Sequence, residues 1–197
     1  MAFAKPKKRE PVGEAGLFEY AVRALSSKMR TVRDLKRLMK PRAEEGDAGE
    51  QAMDAVVARL IDLKYLSDTR FAADYTRMRK ENQGFGPRRV QQDLAMKGVA
   101  KELVASTVSA AYEEADEVAL ARQYVARKRM KQPSGPAAQK ETIRIMNRLM
   151  RAGYSSNTIF KLLRSWDLPE ELIPSTGTGD SDSYAERDER ADESGDD

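Results

Sequence analysis

The chain has 197 residues, of which 40% are hydrophobic, 7% aromatic and 34% charged, and this balance favours modest helical packing in one domain or a short array of small units. It has no cysteine and no histidine, which excludes disulfides, His/Cys zinc sites and the commonest general base. No apolar run approaches the roughly 18 residues of a membrane span, and the basic N-terminus lacks the apolar core of a secretory signal. The sequence therefore predicts a cytoplasmic protein of bacterial type.

The overall charge of +3 hides a division between body and tail. Nine acidic residues and two arginines lie between Asp180 and Asp197, a net charge of −7, so the rest of the chain carries +10. A basic body binds polyanions such as nucleic acid through release of condensed counterions, although a merely solvated basic surface has the same charge. The acidic tail either competes with DNA for this body or keeps a basic protein soluble.

The N-terminal third predicts one three-helix unit after a basic arm. Apolar residues at helical spacing predict a first helix over 17–25 and a third over 51–63. Between them Thr31 caps a second helix, whose apolar side carries Leu35, and Pro41 stops it.

The segment from Leu63 to Val99 is the one around which the chain is organised. Ser67 or Asp68 supplies a helix cap, and Gly84 and Gly86 permit a corner whose backbone angles other residues resist. Gly98 stands where a left-handed helix cap belongs. The helices of this second unit are predicted over residues 68–81, 87–97 and 100–113.

A third unit follows with almost no linker, and its motifs repeat those of the second. L-A-M-K-G-V at 94–99 aligns with L-M-R-A-G-Y at 149–154, and each is followed by a polar cap and a short apolar helix. Helices are expected over 116–131 and 137–152, with Ile143, Met146, Leu149 and Met150 as the apolar residues of the latter, and a last helix starts at Ser155 or Ser156.

These patterns predict an all-α fold, an elongated array of three tandem three-helix units with disordered termini. The predicted parts are a disordered basic arm (1–13), unit 1 (14–66), unit 2 (67–113), unit 3 (114–173) and a disordered acidic tail (174–197).

Three linked motifs of the central segment, Y-L-S-D-T-R-F-A, G-F-G-P-R-R-V and L-A-M-K-G-V, resemble the signature of the RecX family, bacterial regulators of the RecA recombinase. The resemblance covers about Leu17 to Trp166. It implies tandem three-helix units that lodge in the groove of the RecA filament on single-stranded DNA and limit strand exchange, ATP hydrolysis and coprotease function. Arg42 stands where the family has a glycine, the motifs of the third unit are weak, and the acidic tail has no counterpart in the family pattern.

Basic residues at helical spacing are the candidate contacts. Stripes are expected on the second helix of unit 1 and on the second helix of unit 3, and further arginines lie near the corner of unit 2, where Arg77 and Arg79 are expected to point outward. A basic stripe is equally typical of a solvated helix face. The candidate contacts with RecA or DNA are Arg33, Arg37, Arg70, Arg77, Arg79, Arg88, Arg89, Lys140, Arg144, Arg148 and Arg151.

Several residues of the strongest motif also have a purely structural interpretation. Tyr65 and Phe71 would belong to the core, Asp68 would cap a helix and Arg70 would pair with a carboxylate. Trp166, the only tryptophan, is expected to pack the end of the last helix, with partner anchoring as the alternative.

No catalytic pair, nucleotide loop or metal-ligand pattern is present, so neither an enzyme nor a cofactor is expected. The leading hypothesis is a monomeric modulator of the RecA filament that contacts it through basic helix faces. The alternatives are a general DNA-binding protein of stacked helical units that acts without RecA, and an acidic-tailed adaptor that binds only another protein.

Overall fold

A computed structural model describes residues 10–166 and 168–172, and within these ranges the protein is all helical, without a β-strand. The predicted all-α class is confirmed. Residues 1–9 of the expected basic arm and the whole expected acidic tail lie outside the described residues. The α-helices of the described ranges are α1 (Glu14–Ser27), α2 (Val32–Met39), α3 (Asp47–Asp62), α4 (Asp68–Met78), α5 (Pro87–Met96), α6 (Lys101–Tyr112), α7 (Glu117–Arg127), α8 (Ala138–Arg151) and α9 (Ser156–Arg164).

Helix starts follow the side-chain caps expected from the sequence. The Oγ1 of Thr31 accepts a hydrogen bond from the Asp34 amide at 3.1 Å, and the Oγ of Ser67 accepts one from the Arg70 amide at 3.2 Å. Each bond satisfies an amide that has no partner within its own helix, which fixes where the helix begins. Ser155 does the same for α9.

Two helices begin earlier than their apolar periodicity indicates. α1 starts at Glu14 rather than Leu17 and α3 starts at Asp47 rather than Gln51. Both extra turns begin with an acidic residue, which interacts favourably with the positive end of the helix dipole without contributing apolar residues to the pattern.

The helices pack in three consecutive groups of three, each around its own buried cluster. Leu35 and Leu60 lie in the core of α1–α3, Val90 and Leu94 in that of α4–α6, and Leu149 in that of α7–α9. The described side chains packed against both of the last two cores are Phe85 and Leu120. This grouping is compatible with the predicted units, whose boundaries stay a prediction.

The second and third groups join where the N-terminus of α5 meets the C-terminus of α8. The Gly86 amide donates to the Ala152 carbonyl at 2.7 Å and the Arg88 amide donates to the Gly153 carbonyl at 3.2 Å. Gly86 has φ −77°, so its backbone angle is one that other residues adopt; a Cβ at Gly86 would instead lie 2.5 Å from the Gly153 carbonyl carbon. Gly86 is therefore required for close approach and not, as predicted, for its backbone angles.

The first and second groups join by the same arrangement of helix ends. Here side chains, rather than backbone amides, donate to the carbonyls at the C-terminus of the neighbouring helix. The N-terminus of α2 meets the C-terminus of α5, where the Thr31 hydroxyl donates to the Lys97 carbonyl at 2.7 Å and the Arg33 guanidinium donates to the Met96 carbonyl. The Val32 amide donates to the Asp68 carboxylate at 2.9 Å. Asp68 thus caps a helix of the preceding group, and not its own.

The middle helices α8, α5 and α2 are therefore linked head to tail, and the two repeated glycine motifs are the places of linkage. Gly98 and Gly153, with φ +78° and +90°, turn the chain away at each junction. Within the described ranges no further helix group meets the C-terminus of α2. There the Arg42 carbonyl accepts from the Val12 amide at 2.8 Å, and the Arg42 guanidinium lies 3.9 Å from the ring centroid of Tyr20. This difference explains why arginine is accommodated at a position that is glycine in the other two groups.

Candidate interaction surfaces

The basic stripe predicted on α2 is divided between two roles. Arg33 holds the junction with α5 through its hydrogen bond to the Met96 carbonyl, which fixes its guanidinium at that junction. Arg37 points to solvent, with 80% of its side chain exposed, and pairs with Asp34 at 3.2 Å within the same helix. The stripe of unit 1 therefore offers a weaker positive surface than its sequence spacing indicates.

Arg79 is the candidate whose predicted outward position is wrong. Its side chain is only 23% exposed and lies 3.3 Å from Asp93, donates to the Tyr75 hydroxyl, and stacks 5.4 Å from the ring centroid of Phe85. Asp93 is buried and also receives the Nε of Arg89 at 3.0 Å. Arg79 consequently holds together the corner after α4 and is not part of an open surface.

The remaining arginines of the second group are more accessible. Arg77 is exposed and pairs with Asp74 at 3.0 Å; hydrogen bonding to Asp74 raises the pKa of this arginine. Arg88 is exposed, and none of the described carboxylates lies within ion-pair distance of it. Arg89 is half exposed, and its guanidinium forms an ion pair with Asp93 one turn further along α5.

The α8 stripe, defined as Lys140, Arg144, Arg148 and Arg151, is an open cationic surface. Lys140, Arg144 and Arg151 are exposed and Arg148 is half-buried. None of the four lies within 4.0 Å of a described Asp or Glu carboxylate. Spacings of four, four and three residues place these side chains on one side of the helix, so their fields add along about three turns.

The buried face of α8 differs in part from the predicted one. Ala138, Thr142, Ile145 and Leu149 are its buried residues, whereas Ile143 and Met150, expected in the core, are 44% and 42% exposed. Thr142 is tolerated inside because its hydroxyl donates to the Ala138 carbonyl at 2.9 Å. The exposed pair lies seven residues apart and so flanks the α8 stripe on one side of the helix.

A second surface, the junction groove, lies between the first and second groups and is lined by Met29, Arg30, Tyr65, Ser67 and Arg70. Adjoining cavities of about 420 and 240 Å³ share Ser67 and Arg70 as lining residues. Tyr65 is 63% exposed and Met29 is 48% exposed, so the prediction that Tyr65 belongs to the core is wrong.

Two arginines of the junction groove are held in place by backbone carbonyls. Arg70 donates to the Lys64 carbonyl at 2.7 Å, and the Nε of Arg30 donates to the Ala24 carbonyl at 3.2 Å. Neither guanidinium lies within ion-pair distance of a carboxylate in the described ranges, so the predicted pairing of Arg70 with a carboxylate is wrong. The groove therefore combines exposed apolar side chains with two fixed arginines, and Asp74, which pairs with Arg77, also lines it. The sequence signal is the pair Tyr65 and Leu66 between the polar Lys64 and Ser67, of which only Leu66 is buried.

Two buried tyrosines fix the site's framework. Burial raises the pKa of Tyr112 and of Tyr154, so both remain neutral hydroxyl donors at neutral pH. Tyr112 donates to the Phe85 carbonyl at 2.6 Å and Tyr154 donates to the Gly84 carbonyl at 2.7 Å. Tyr112, at the end of α6, holds the glycine corner within the second group, whereas Tyr154 anchors the corner to the third group. Together they fix where Arg88 and α8 stand relative to each other. Trp166, as expected, packs at the end of α9.

The described residues form neither a metal site nor a membrane span. Their acidic side chains form no group of three or more that would hold a metal ion. None of their helices is long and apolar enough to cross a bilayer.

An all-α fold of head-to-tail linked helix groups with cationic faces defines the class, and comparison with known proteins identifies the family. A model described as "RecX, second three-helix domain" matches residues 67–108. "Regulatory protein RecX" of Escherichia coli K12 is 30% identical over 158 residues, covering 77% of this chain and 92% of that protein. The chain therefore belongs to the RecX family of regulatory proteins.

More distant relatives agree. "Regulatory protein RecX" of Listeria monocytogenes is 26% identical over 136 residues, covering 69% of this chain and 48% of that protein. The crystal structure of RecX from Lactobacillus salivarius superposes with a TM-score of 0.61 at 20% identity over 78% of this chain and 96% of that one. A second crystal structure of regulatory protein RecX gives 0.61 at 19% identity over 77% and 71%. At such identities these structural matches show the fold alone.

Proposed function

We propose that this protein binds the filament that a RecA recombinase forms on single-stranded DNA and restrains its strand exchange, ATP hydrolysis and coprotease activity. Membership of a family of regulatory proteins supports a regulatory role without catalysis. The α8 stripe is the observation that carries the proposal, because four cations on one helix side without described carboxylate partners leave a positive field for an external anion.

The proposed contact surface is narrower than the set of candidates drawn from the sequence. It consists of the α8 stripe, Arg88 and the junction groove with Arg70, with Arg37 and Arg77 as exposed but internally paired contributors. Arg33, Arg79 and Arg89 act through the structure by holding these elements in place. Surfaces on all three helix groups would let one monomeric chain span neighbouring filament subunits, so that its binding depends on their spacing.

The rival function is DNA binding without RecA, and the junction groove favours a protein partner. A phosphate backbone interacts favourably with cations but gains little from an exposed methionine such as Met29. Binding of single strands without sequence preference relies on several aromatic side chains on which successive bases stack. An exposed tyrosine beside a methionine and two fixed arginines is the composition typical of protein interfaces. Binding within a bacterial cytoplasm follows from the same proposal, since RecA filaments form there.

The test is ATP hydrolysis by RecA on single-stranded DNA, titrated with this protein and with an Arg144→Ala, Arg148→Ala, Arg151→Ala variant. We expect inhibition by the wild-type chain below one molecule per RecA subunit. The variant should need about tenfold more protein, since three exposed ion pairs contribute about 0.5 kcal/mol each.

A matched control removes the same charge elsewhere. Lys28→Ala, Lys101→Ala, Lys131→Ala deletes three exposed cations on other elements and should inhibit as the wild type does. If both triple variants inhibited ATP hydrolysis equally weakly, the α8 stripe would act only through the net charge of the protein. Unchanged hydrolysis with wild-type protein, together with binding to bare DNA, would replace the proposal by its rival.

A further inference from the structure

The α8 stripe has a candidate ligand within the chain itself. The segment 180–197 has a net charge of −7 and the rest of the chain has +10. Among the described residues the stripe is not neutralised by any carboxylate. Charge complementarity alone does not select α8 from the other cationic faces, so the location of the tail's attachment and its composition decide the matter.

The described chain ends beside this helix. The short 3₁₀ turn Glu170–Leu172 packs against α8, and Leu168 packs against the core of the third group. From Leu172 to Tyr184 there are 12 residues, which span up to ~40 Å when extended, whereas the 14 residues of α8 span ~21 Å. The acidic segment therefore reaches the whole length of the stripe, at an effective concentration of the order of millimolar.

The composition of the segment fits more than charge. Tyr184 is flanked by Asp182 and Glu186 in D-S-Y-A-E. The α8 surface offers the half-exposed apolar pair Ile143 and Met150 next to its cations. An aromatic ring on this pair would place carboxylates on either side of it near the arginines of α8. On α2, by contrast, Arg37 and Lys36 already pair with the carboxylates of Asp34 and Asp54.

We propose that the acidic segment 180–197 docks on the α8 face, with Tyr184 against Ile143 and Met150 and its carboxylates on Arg144, Arg148 and Arg151. The segment then acts as an intramolecular competitor that an external polyanion or acidic protein surface must displace. The docking itself stands independently of the proposed function; only its regulatory consequence rests on it.

The chain contains no cysteine, so a single introduced cysteine can be labelled without any further substitution. A nitroxide on Ser183→Cys would be followed through the amide NMR signals of the full-length chain. Signals of α8 from 140 to 151 should broaden at low salt, whereas those of α2 from 32 to 39 should not. At ~1 M salt, where the screening length is about 3 Å, the α8 signals should largely recover.

Two variants separate a site from general attraction. Arg144→Ala, Arg148→Ala, Arg151→Ala should abolish the broadening, while Lys28→Ala, Lys101→Ala, Lys131→Ala should leave it in place, with circular dichroism confirming that both fold. Absence of broadening, or equal broadening of every cationic face, would overturn the proposal.

The regulatory consequence is tested on affinity. A full-length chain with Asp188→Asn, Glu189→Gln, Asp192→Asn and Glu193→Gln should bind a fluorescein-labelled oligothymidylate about three- to tenfold more tightly than the wild-type chain, because the competitor is weakened. Unchanged affinity would contradict competition. These readouts use no RecA, so a failure of the filament proposal leaves them interpretable, and a failure here leaves the filament proposal standing.

Discussion

Gly153 combines a backbone angle and a close contact that a larger residue cannot reproduce. Its φ is +90°, and a Cβ there would overlap the backbone nitrogen of Arg89. Gly135 has a similar φ of +67° but nothing within 4 Å of its Cβ position. The two positions therefore separate the strain of the left-handed conformation from the packing of the junction between α5 and α8.

We expect Gly135→Ala to lower the free energy of unfolding by about 1–2 kcal/mol through backbone strain alone. Gly153→Ala should cost a further ~1–3 kcal/mol because the added methyl group overpacks the junction. Urea unfolding followed by circular dichroism measures both. Equal losses for the two variants would show that the junction relaxes at no cost, contrary to the close approach described here.

Residues of one chemical type differ in exposure because of tertiary contacts that their spacing along the chain does not reveal. Arg77 and Arg79 both follow Tyr75, yet Arg77 is exposed and Arg79 is enclosed by Asp93, Tyr75 and Phe85. The difference depends on Asp93, which lies 14 residues further along the chain and meets Arg79 only in the folded protein. Apolar residues divide in the same way: Leu63 and Tyr65 are exposed, whereas Leu66, next to Tyr65, is buried.

At the scale of elements, the N-terminus of α2 is the most informative junction. Thr31 is fully buried, caps its own helix through Asp34 and donates to the Lys97 carbonyl of the next group. Ser67 caps α4 through Arg70 alone. The comparison isolates what the contact between helix groups contributes beyond a helix cap.

Thr31→Val keeps the shape of the side chain and leaves two partly buried polar groups, the Asp34 amide and the Lys97 carbonyl, without a partner, so we expect a loss of about 2–4 kcal/mol. Ser67→Ala should cost about 1 kcal/mol. Both losses of stability are measured from the midpoints of urea unfolding, provided that the dependence of the unfolding free energy on urea concentration is unchanged. If the threonine variant lost no more stability than the serine variant, the hydrogen bond to Lys97 would carry no weight in joining the groups.

Most helices could be predicted from the sequence. Thr31, Ser67 and Ser155 mark helix starts by local hydrogen bonding, and Gly98 and Gly153 mark ends by their backbone angle, all of which act within a few residues. The head-to-tail linkage was out of reach, because Gly86 and Ala152 are 66 positions apart and a glycine pattern does not tell a turn from a close approach. Asp68 was misassigned as a cap of its own helix for the same reason: its partner, Val32, lies 36 residues earlier.

Across the whole molecule the two junctions differ in chemistry. The second and third groups share Phe85 and Leu120 in their cores, as well as backbone hydrogen bonds. The first group meets the second through the polar contacts of Thr31, Val32 and Arg33, beside the cavities of the junction groove. Apolar burial is the larger stabilising term, so the first group should be the more easily detached.

Unfolding monitored by two probes tests this difference. The single Trp166 packs against the core of the third group, whereas circular dichroism reports on every helix. We expect the dichroism signal to begin its loss at lower urea concentration than the tryptophan fluorescence, since local opening precedes global unfolding. Coincident transitions would instead show one cooperative unit.

The proposed contact with a recombinase filament is tested by co-sedimentation with RecA assembled on single-stranded DNA, compared with the same DNA alone. We predict at least about tenfold tighter binding to the filament, weakened by Arg144→Ala, Arg148→Ala, Arg151→Ala and by Tyr65→Ala. Binding to bare DNA should be lost first as salt rises, because it depends on counterion release. Equal affinity for filament and bare DNA, with the same salt dependence, would contradict the account.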